Sequence, residues 1–424
     1  MPAREAMSGA DAAWFHMDRE HNLMVVNTVL CFDQRPDWNE VEALLQRRLV
    51  DRFPRFRQRG VDPLVTLGLL APWWEEDASF DIENHVARTD LSARGGREAL
   101  DEHIAKQATF DLDRRLPLWR AELIDLAGGA AALLLRTHHA IGDGAALFKV
   151  IVALTDPVGE PPAQPKAAAP RSQNPVDLVT VERTVIATAN LGQRLFGRGA
   201  TGMPLTSPIV GAKRIAHLEP VELRRLKDAG RPTESTVNDV FLAALAGTLR
   251  GHLAGLGITP VDIDIVMPVS VRDDEHEERD ALGNHFGLVF NRLPVATADR
   301  RERRARVTRR TREIKSSQEP EVVFGALSTM GHVPRGMQHA WVDAFIKDAV
   351  AVVTNVQGPR HAVSLAGAPV TEMYFLVPST GPIGLGISFL SYNGHAVVSL
   401  IADRATLPAL QPFATQLESE LRQA

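Results

Sequence analysis

The chain has 424 residues, with 47 basic and 52 acidic side chains, so its formal charge is −5 with histidine neutral. That length predicts two to three domains, each with its own core, and 45% apolar against 23% charged residues excludes wholesale disorder. The acidic balance gives no support to nucleic-acid binding, and a single cysteine, Cys31, excludes an internal disulfide and a cysteine zinc site.

The first residues, Met1 to Glu20, carry charges throughout and contain no apolar signal core. Met24 to Phe32 is rich in β-branched and apolar residues and reads as a strand, which places Cys31 in an apolar core. Asp37 and Glu40 have capping-box spacing ahead of Val41, Leu44, Leu45, Leu49 and Phe53, predicting a helix over 38–53. A second helix is expected over Arg97–Ala108. Ala121–Leu126 and Ala130–Thr137 read as a hairpin turned by Gly128 and Gly129. His138-His139-Ala140-Ile141-Gly142-Asp143-Gly144 follows directly, and then a helix through Leu147, Val150, Ile151 and Leu154.

Between Asp156 and Asn174 stand Pro157, Pro161, Pro162, Pro165 and Pro170, which predicts an exposed linker. A helical patch over Val179–Leu195 and a Gly-rich stretch follow. This gives a first domain over 1–155, a linker with a connecting helix over 156–205, and a second domain over 206–424. In the second domain, helices are expected at Ser235–Leu253, at the arginine-dense Asp299–Ser317 and at Thr406–Arg422. Strands are expected around Ile263–Met267, Gly287–Leu293, Ala349–Asn355, Thr371–Val377, Ile383–Leu390 and Ala396–Ala402. The charge-free stretch from Met373 to Ala402 is broken by Pro378, Gly381, Pro382 and Gly384, so it reads as successive strands and not a membrane span. Both halves mix strands and helices without a regular βαβ rhythm, which predicts an α+β fold in a soluble, intracellular protein.

The paired histidines carry the chemistry. A strand tip is a rigid mount, and neighbouring side chains there point to opposite sides, so one imidazole can face a cleft while the other turns away. A positioned imidazole accepts a proton from a substrate hydroxyl. Asp143 suits the start of a helix, where the dipole favours it, and can pair with an arginine to hold the loop. The alternatives at this point are a structural His-His pair, a metal site and a hydrolase. A metal needs three or more ligands, and neither a metal-binding H-E-x-x-H nor a G-x-S-x-G pentapeptide is present.

HHAIGDG fits the HHxxxDG signature of the CoA-dependent acyltransferase superfamily, which includes peptide-synthetase condensation domains. The chain resembles the wax ester synthase/diacylglycerol acyltransferase family almost end to end. The matching blocks are Ser8-Gly9-Ala10-Asp11 through Trp14 to Phe32-Asp33, Pro117-Leu118-Trp119, Asn238-Asp239, Pro268-Val269-Ser270-Val271-Arg272, Gly283-Asn284 and Thr354-Asn355-Val356-Gln357-Gly358-Pro359. Gln357 stands where the family usually has proline, which touches substrate preference and not the histidines.

The resemblance implies two chloramphenicol-acetyltransferase-like mixed-sheet domains with an active-site channel between them. It implies acyl transfer from acyl-CoA, as co-substrate and without a tightly bound cofactor or metal, to diacylglycerol or a long-chain alcohol. His139 would be the general base, His138 a support for the loop and Asp143 the structural aspartate. Gly144 would suit a crowded strand-to-helix junction. Asn238, near a helix start, is a candidate oxyanion donor, with helix capping as the competing reading. Pro117, Leu118, Trp119, Asp239, Asn355 and Gly358 are expected to shape the CoA or acyl channel, with packing the other reading of Trp119 and a plain turn that of Asn355 and Gly358. The arginine helix suggests CoA phosphates or an anionic membrane, against a solvated face with pairs such as Glu302–Arg306. The expected setting is cytoplasmic, with peripheral contact to a membrane or lipid droplets and no nucleic-acid partner. Two competing functions remain open: condensation-type transfer from a carrier protein, and a non-catalytic lipid-binding scaffold.

Overall fold

The apolar runs become the strands of two mixed sheets, seen in a computed structural model that describes residues 4–63, 71–159, 178–196, 205, 207–272, 281–379 and 381–424. The first sheet has the order Glu372–Leu376, Val25–Phe32, Ala131–His138, Trp119–Asp125, Val86–Asp90. Its hairpin turns at Gly128 and Gly129, whose φ values of 75° and 83° lie where glycine alone is unstrained. The Ala131–His138 strand is buried along its whole length. Leu133 and Leu135 enter one core and Ala132 and Leu134 another, which is why it reads as a continuous apolar run and not an alternation.

The second sheet runs Val221–Glu222, His395–Asp403, Leu385–Tyr392, Ala349–Gln357, Ile263–Ser270, Phe286–Leu293, with Lys213–His217 also on His395–Asp403. Ala349–Gln357 pairs in parallel with both its neighbours, and the remaining pairs are antiparallel. The helix expected at Ser235–Leu253 spans Val237–Gly255, opened by a reciprocal capping box between Thr236 and Asp239. The predicted 38–53 helix is Trp38–Leu45 followed by a π-type turn over Gln46–Val50. Asp37 caps it through the Glu40 amide, but Glu40 does not return the bond.

One feature departs from a division at residue 155. Glu372–Leu376 comes from the second half of the chain, yet it forms the edge of the first sheet, with Met373 opposite Leu30. One core cluster accordingly draws Leu133 and Ile151 from the first half together with Phe286, Val352 and Met373 from the second. Most of the expected proline-rich linker and the Gly-rich stretch after it lie outside the described residues. Within the described part, Asp156–Pro157 pairs with Val363–Leu365. Among the described residues no helix is long and apolar enough to cross a membrane.

Candidate active site

The Ala131–His138 strand ends between two anchors. The His138 amide donates to Leu118 O at 2.9 Å and the His139 amide to Met24 O at 2.7 Å. The chain then makes one 3-10 turn over His139–Ile141 and crosses to Gly283 before entering the Gly144–Leu154 helix.

The two imidazoles part as expected. His138 is buried away from the cleft, where its Nδ1 accepts from the Ala140 amide at 3.0 Å and its Nε2–H donates to Asp18 Oδ2 at 3.0 Å. Asp18 also accepts from the Met24 amide and from Arg114. Burial opposes the Asp18 charge, but His138, the Met24 amide and Arg114 together hold its carboxyl well below the usual carboxylate range. His138 is thus bonded to the loop at Ala140 and, through Asp18, to Met24 and Arg114.

His139 faces the other way, into a cavity of about 700 Å³ between the two sheets. Its ring stacks on Trp14 at 4.4 Å between centroids and lies 5.5 Å from Phe286. Its Nδ1 is 3.0 Å from Asn284 Oδ1, and the Asn284 amide nitrogen reaches Asp11 Oδ1 and the His139 carbonyl, both at 2.8 Å. Burial pushes the His139 pKa down to about 4, against the opposing pull of the Asp143 carboxylate. The ring is therefore neutral, and able to accept a proton, across the physiological range.

Asp143 caps the following helix by accepting from the Ala146 amide at 2.9 Å. Its arginine partner is Arg272, whose Nη2 stands 3.0 Å from both carboxylate oxygens and 2.7 Å from Gly283 O. The His285 amide completes the set at 2.9 Å. A Cβ on Gly144 would meet Val356 Cγ2 at 3.2 Å, a tight approach to a single side-chain methyl.

The cavity wall also includes Asn355 from the motif residues, with Ser270, Thr354 and Gln357 as further polar groups and Leu147, Ile151, Phe375 and Leu390 as apolar ones. Other motif residues sit elsewhere. Leu118 and Trp119 are buried in packing, with Trp119 Nε1 donating to Phe56 O at 2.7 Å and its ring stacked on His85. Pro117 borders a separate cavity of about 220 Å³ beside Arg120 and Arg136. Asp239 is consumed by its capping box and by Thr311 Oγ1 at 2.6 Å. Gly358 abuts the Ser391 backbone, where a Cβ would lie 2.1 Å from the carbonyl oxygen.

Asn238 does not cap its helix, since Thr236 does, and it is not among the wall residues. Its Oδ1 accepts from Asn355 Nδ2 at 3.1 Å. The arginine helix, Arg300–Ser316, is answered across the fold: Arg300 and Arg303 by Glu420, Arg306 by Asp262 and Arg312 by Glu234. Arg306 reaches Asp262 and not Glu302. The Cys31 thiol is pushed up to about 12 by burial and the nearby Glu372 charge, so it is no nucleophile at neutral pH. Among the described residues no group of three His, Cys, Asp or Glu side chains is arranged to hold a metal ion.

Sequence reasoning missed several residues that touch the motif, namely Trp14, Asp18, Arg272, Asn284, His285 and Phe286, with Asp11 behind Asn284. All but His285 and Phe286 fall within blocks that carried the resemblance, the signal that could have found them.

The chain matches the wax ester synthase/diacylglycerol acyltransferase catalytic domain over residues 7–201 and the WS/DGAT C-terminal domain over residues 282–424. A Mycobacterium tuberculosis protein named a diacylglycerol O-acyltransferase is 27% identical, over 99% of this chain and 90% of its own length. A second of the same name and organism is 27% identical over 87% of this chain and 79% of its own. The fold is similar to the wax ester synthase/diacylglycerol acyltransferase from Marinobacter aquaeolei VT8, with a TM-score of 0.71 at 22% identity, covering 99% and 98% of the two chains. It is also similar to the first condensation domain of the calcium-dependent antibiotic synthetase, with a TM-score of 0.63 at 15% identity, covering 99% and 96%.

Proposed function

Because the chain belongs to the wax ester synthase/diacylglycerol acyltransferase family of acyltransferases, we propose that it transfers a fatty acyl group from acyl-CoA to diacylglycerol or a long-chain alcohol. The observation that carries this reading is His139, neutral and set in the wall of a largely apolar cavity between the lobes. Acyl donor and hydroxyl acceptor meet there in a ternary complex.

His139 removes the acceptor's proton as its oxygen attacks the thioester carbonyl. The tetrahedral intermediate collapses with cleavage of the C–S bond, and the imidazolium returns the proton to the departing thiolate, giving ester and free CoA. The oxyanion calls for a donor on the wall itself, where Ser270 and Thr354 carry hydroxyls. Asp143 and Arg272 keep the loop seated and touch no reacting atom. The same reading places the protein in the cytoplasm, with peripheral contact to the membrane or lipid-droplet surface that holds its acceptor. The likeness to a condensation domain speaks to the fold alone.

The test is thiol detection with purified protein and a panel of acyl-CoA donors, each with diacylglycerol or hexadecanol. CoA release that depends on the acceptor is expected, falling about 10²–10⁴-fold in His139→Ala. No release with any pair, or an undiminished rate in that variant, would sink the reading. Turnover only with a carrier-bound acyl donor would favour condensation-type transfer.

A further inference from the structure

We propose that Asn284 and Asp11 are positioning residues for His139: the Asn284 carboxamide, locked by Asp11, keeps the imidazole proton on Nδ1 and leaves the Nε2 lone pair for the incoming hydroxyl. The inference rests on the acyl-transfer reading for its use, but its geometry stands apart from any substrate.

A carboxamide has one accepting and one donating end, so its orientation decides what it demands of a neighbour. The Asn284 nitrogen has two hydrogens and meets two acceptors, Asp11 Oδ1 at 2.8 Å and the His139 carbonyl at 2.8 Å. Turning the amide over would set its oxygen against both of those oxygens. Its oxygen therefore faces His139 Nδ1, 3.0 Å away, and an oxygen there requires a hydrogen on that nitrogen. A neutral imidazole carries only one N–H, so Nε2 holds the lone pair. That nitrogen makes no hydrogen bond to any described residue, and the ring borders the cavity.

The lock is rigid. Asp11 Oδ1 also accepts from the Asn284 backbone amide at 3.0 Å, while the Asp11 amide donates to Ser8 Oγ at 3.0 Å. Asp11 and Asn284 are 5% and 2% exposed, so little water competes for these bonds. The helix bearing Asp11, Gly9–His16, sits backbone to backbone on the Glu319–Met330 helix. A Cβ on Gly9 would lie 2.0 Å from Ser328 O, and one on Gly331 1.8 Å from Gly9 O. A carboxamide between Asp11 and the ring also has a chemical consequence. It cannot ionise, so it fixes the tautomer without placing a full negative charge on Nδ1. Among the described residues, the charged or titratable groups around His139 are then Asp143 on the loop after it, Arg272 on Asp143, His138 behind it, Asp11 one amide away and Lys149 on the same cavity wall.

The test uses the full chain labelled with ¹⁵N-histidine, with His139 assigned by the signals lost in His139→Gln. Long-range ¹H–¹⁵N correlation at pH 7 should show a protonated Nδ1 and an unprotonated Nε2; the reverse tautomer overturns the proposal. Asn284→Ala should lose about 10–100-fold in kcat with KM little changed, taking as the guide the loss when the partner orienting a metal-bound histidine is removed. A folded Asn284→Ala protein with kcat within twofold of the parent overturns it as well. The exchange Asp11→Asn/Asn284→Asp rebuilds an amide–carboxylate pair with the carboxylate now on Nδ1. It should keep the tautomer and raise the acid limb of the pH–rate profile by about 1–3 pH units; a residue that merely fills space would leave that limb unmoved. If the acyl-transfer reading failed, CoA release would be missing while the tautomer remained as described.

Discussion

Replacing Arg272 with methionine isolates the ion pair that holds the histidine loop. The Arg272 and Asp143 side chains are 4% and 7% exposed, and one guanidinium nitrogen serves both carboxylate oxygens and the Gly283 carbonyl. Methionine fills similar space but strands the Asp143 charge with only the Ala146 and His285 amides. Removing one partner of a buried pair costs about 3–5 kcal/mol. At roughly 2–4 °C per kcal/mol for a cooperative unit of about 150–250 residues, Tm should drop on the order of 6–20 °C. Circular dichroism melts at pH 7.5 read this directly. Adding Asp143→Asn removes the stranded charge; its single oxygen can keep the Ala146 cap while the His285 amide loses its acceptor, a smaller loss than an unpaired buried charge. The double variant should therefore melt above Arg272→Met alone, a positive coupling in the double-mutant cycle. A shift under about 1 °C would equate the pair with an exposed one. A double variant no more stable than the single would show that stranded charge is not the cause. Either result refutes the reasoning.

Three further outcomes follow from this cluster and the helix behind it. Burial holds the His139 pKa near 4, so the base is fully present above the ordinary value of 6.5 and is lost only as pH falls through about 4. The kcat/KM profile should be level from pH 8 to about 5 and then fall, and an inflection near 6.5 would contradict this. Because the unfolded chain binds that proton first, His139 should also weaken folding as pH drops from 6.5 to 4, by on the order of 3 kcal/mol. Gly331→Ala puts a methyl 1.8 Å from the Gly9 carbonyl and must push the Asp11 helix away. It should cost about 1–3 kcal/mol in urea unfolding and lower kcat, whereas an unchanged kcat would uncouple that helix from His139.

What the sequence made legible is local. A strand ending in two histidines, an aspartate at a helix start and a glycine pair at a turn are each decided by residues a few positions apart. Partners across the fold are another matter. Arg272 lies 129 residues from Asp143, and Asn284 lies 145 residues from His139. The resemblance put both in marked blocks, but no spacing rule joins residues that far apart. Glu372–Leu376 shows the same limit: its strand pattern was readable, but the sheet it joins was not. The helices Glu319–Met330 and Arg335–Ile346 were not legible because each buries only a short, broken apolar face, although Pro320 and Pro334 at their starts suit a helix N-terminus. Trp119 was offered to the channel as well as to packing because residue type alone does not say which side of a strand faces the cavity.

The cluster at His139 bears on how substrates reach it. The loop belongs to the first half of the chain, yet the groups that hold it come largely from the second: Asn284, the His285 amide, Arg272 and the Gly283 carbonyl, which accepts from the Asp143 amide. If the lobes hinged apart along this seam, those bonds would break together. Water would replace each of these bonds at a net cost of about 0.5–1.5 kcal/mol, more for the charged contacts of Asp143. Several such losses, with the core that Leu133 and Ile151 share with Phe286, Val352 and Met373 uncovered as well, weigh heavily against a stability of about 5–15 kcal/mol. The seam is further closed by Glu372–Leu376, a strand of the second half locked into the sheet of the first. On the acyl-transfer reading, substrates would therefore enter a cavity already formed and not one opened by parting its walls. Selection among acyl chain lengths would then fall to the side chains lining that cavity, with Phe375, Leu147 and Ile151 among its apolar wall.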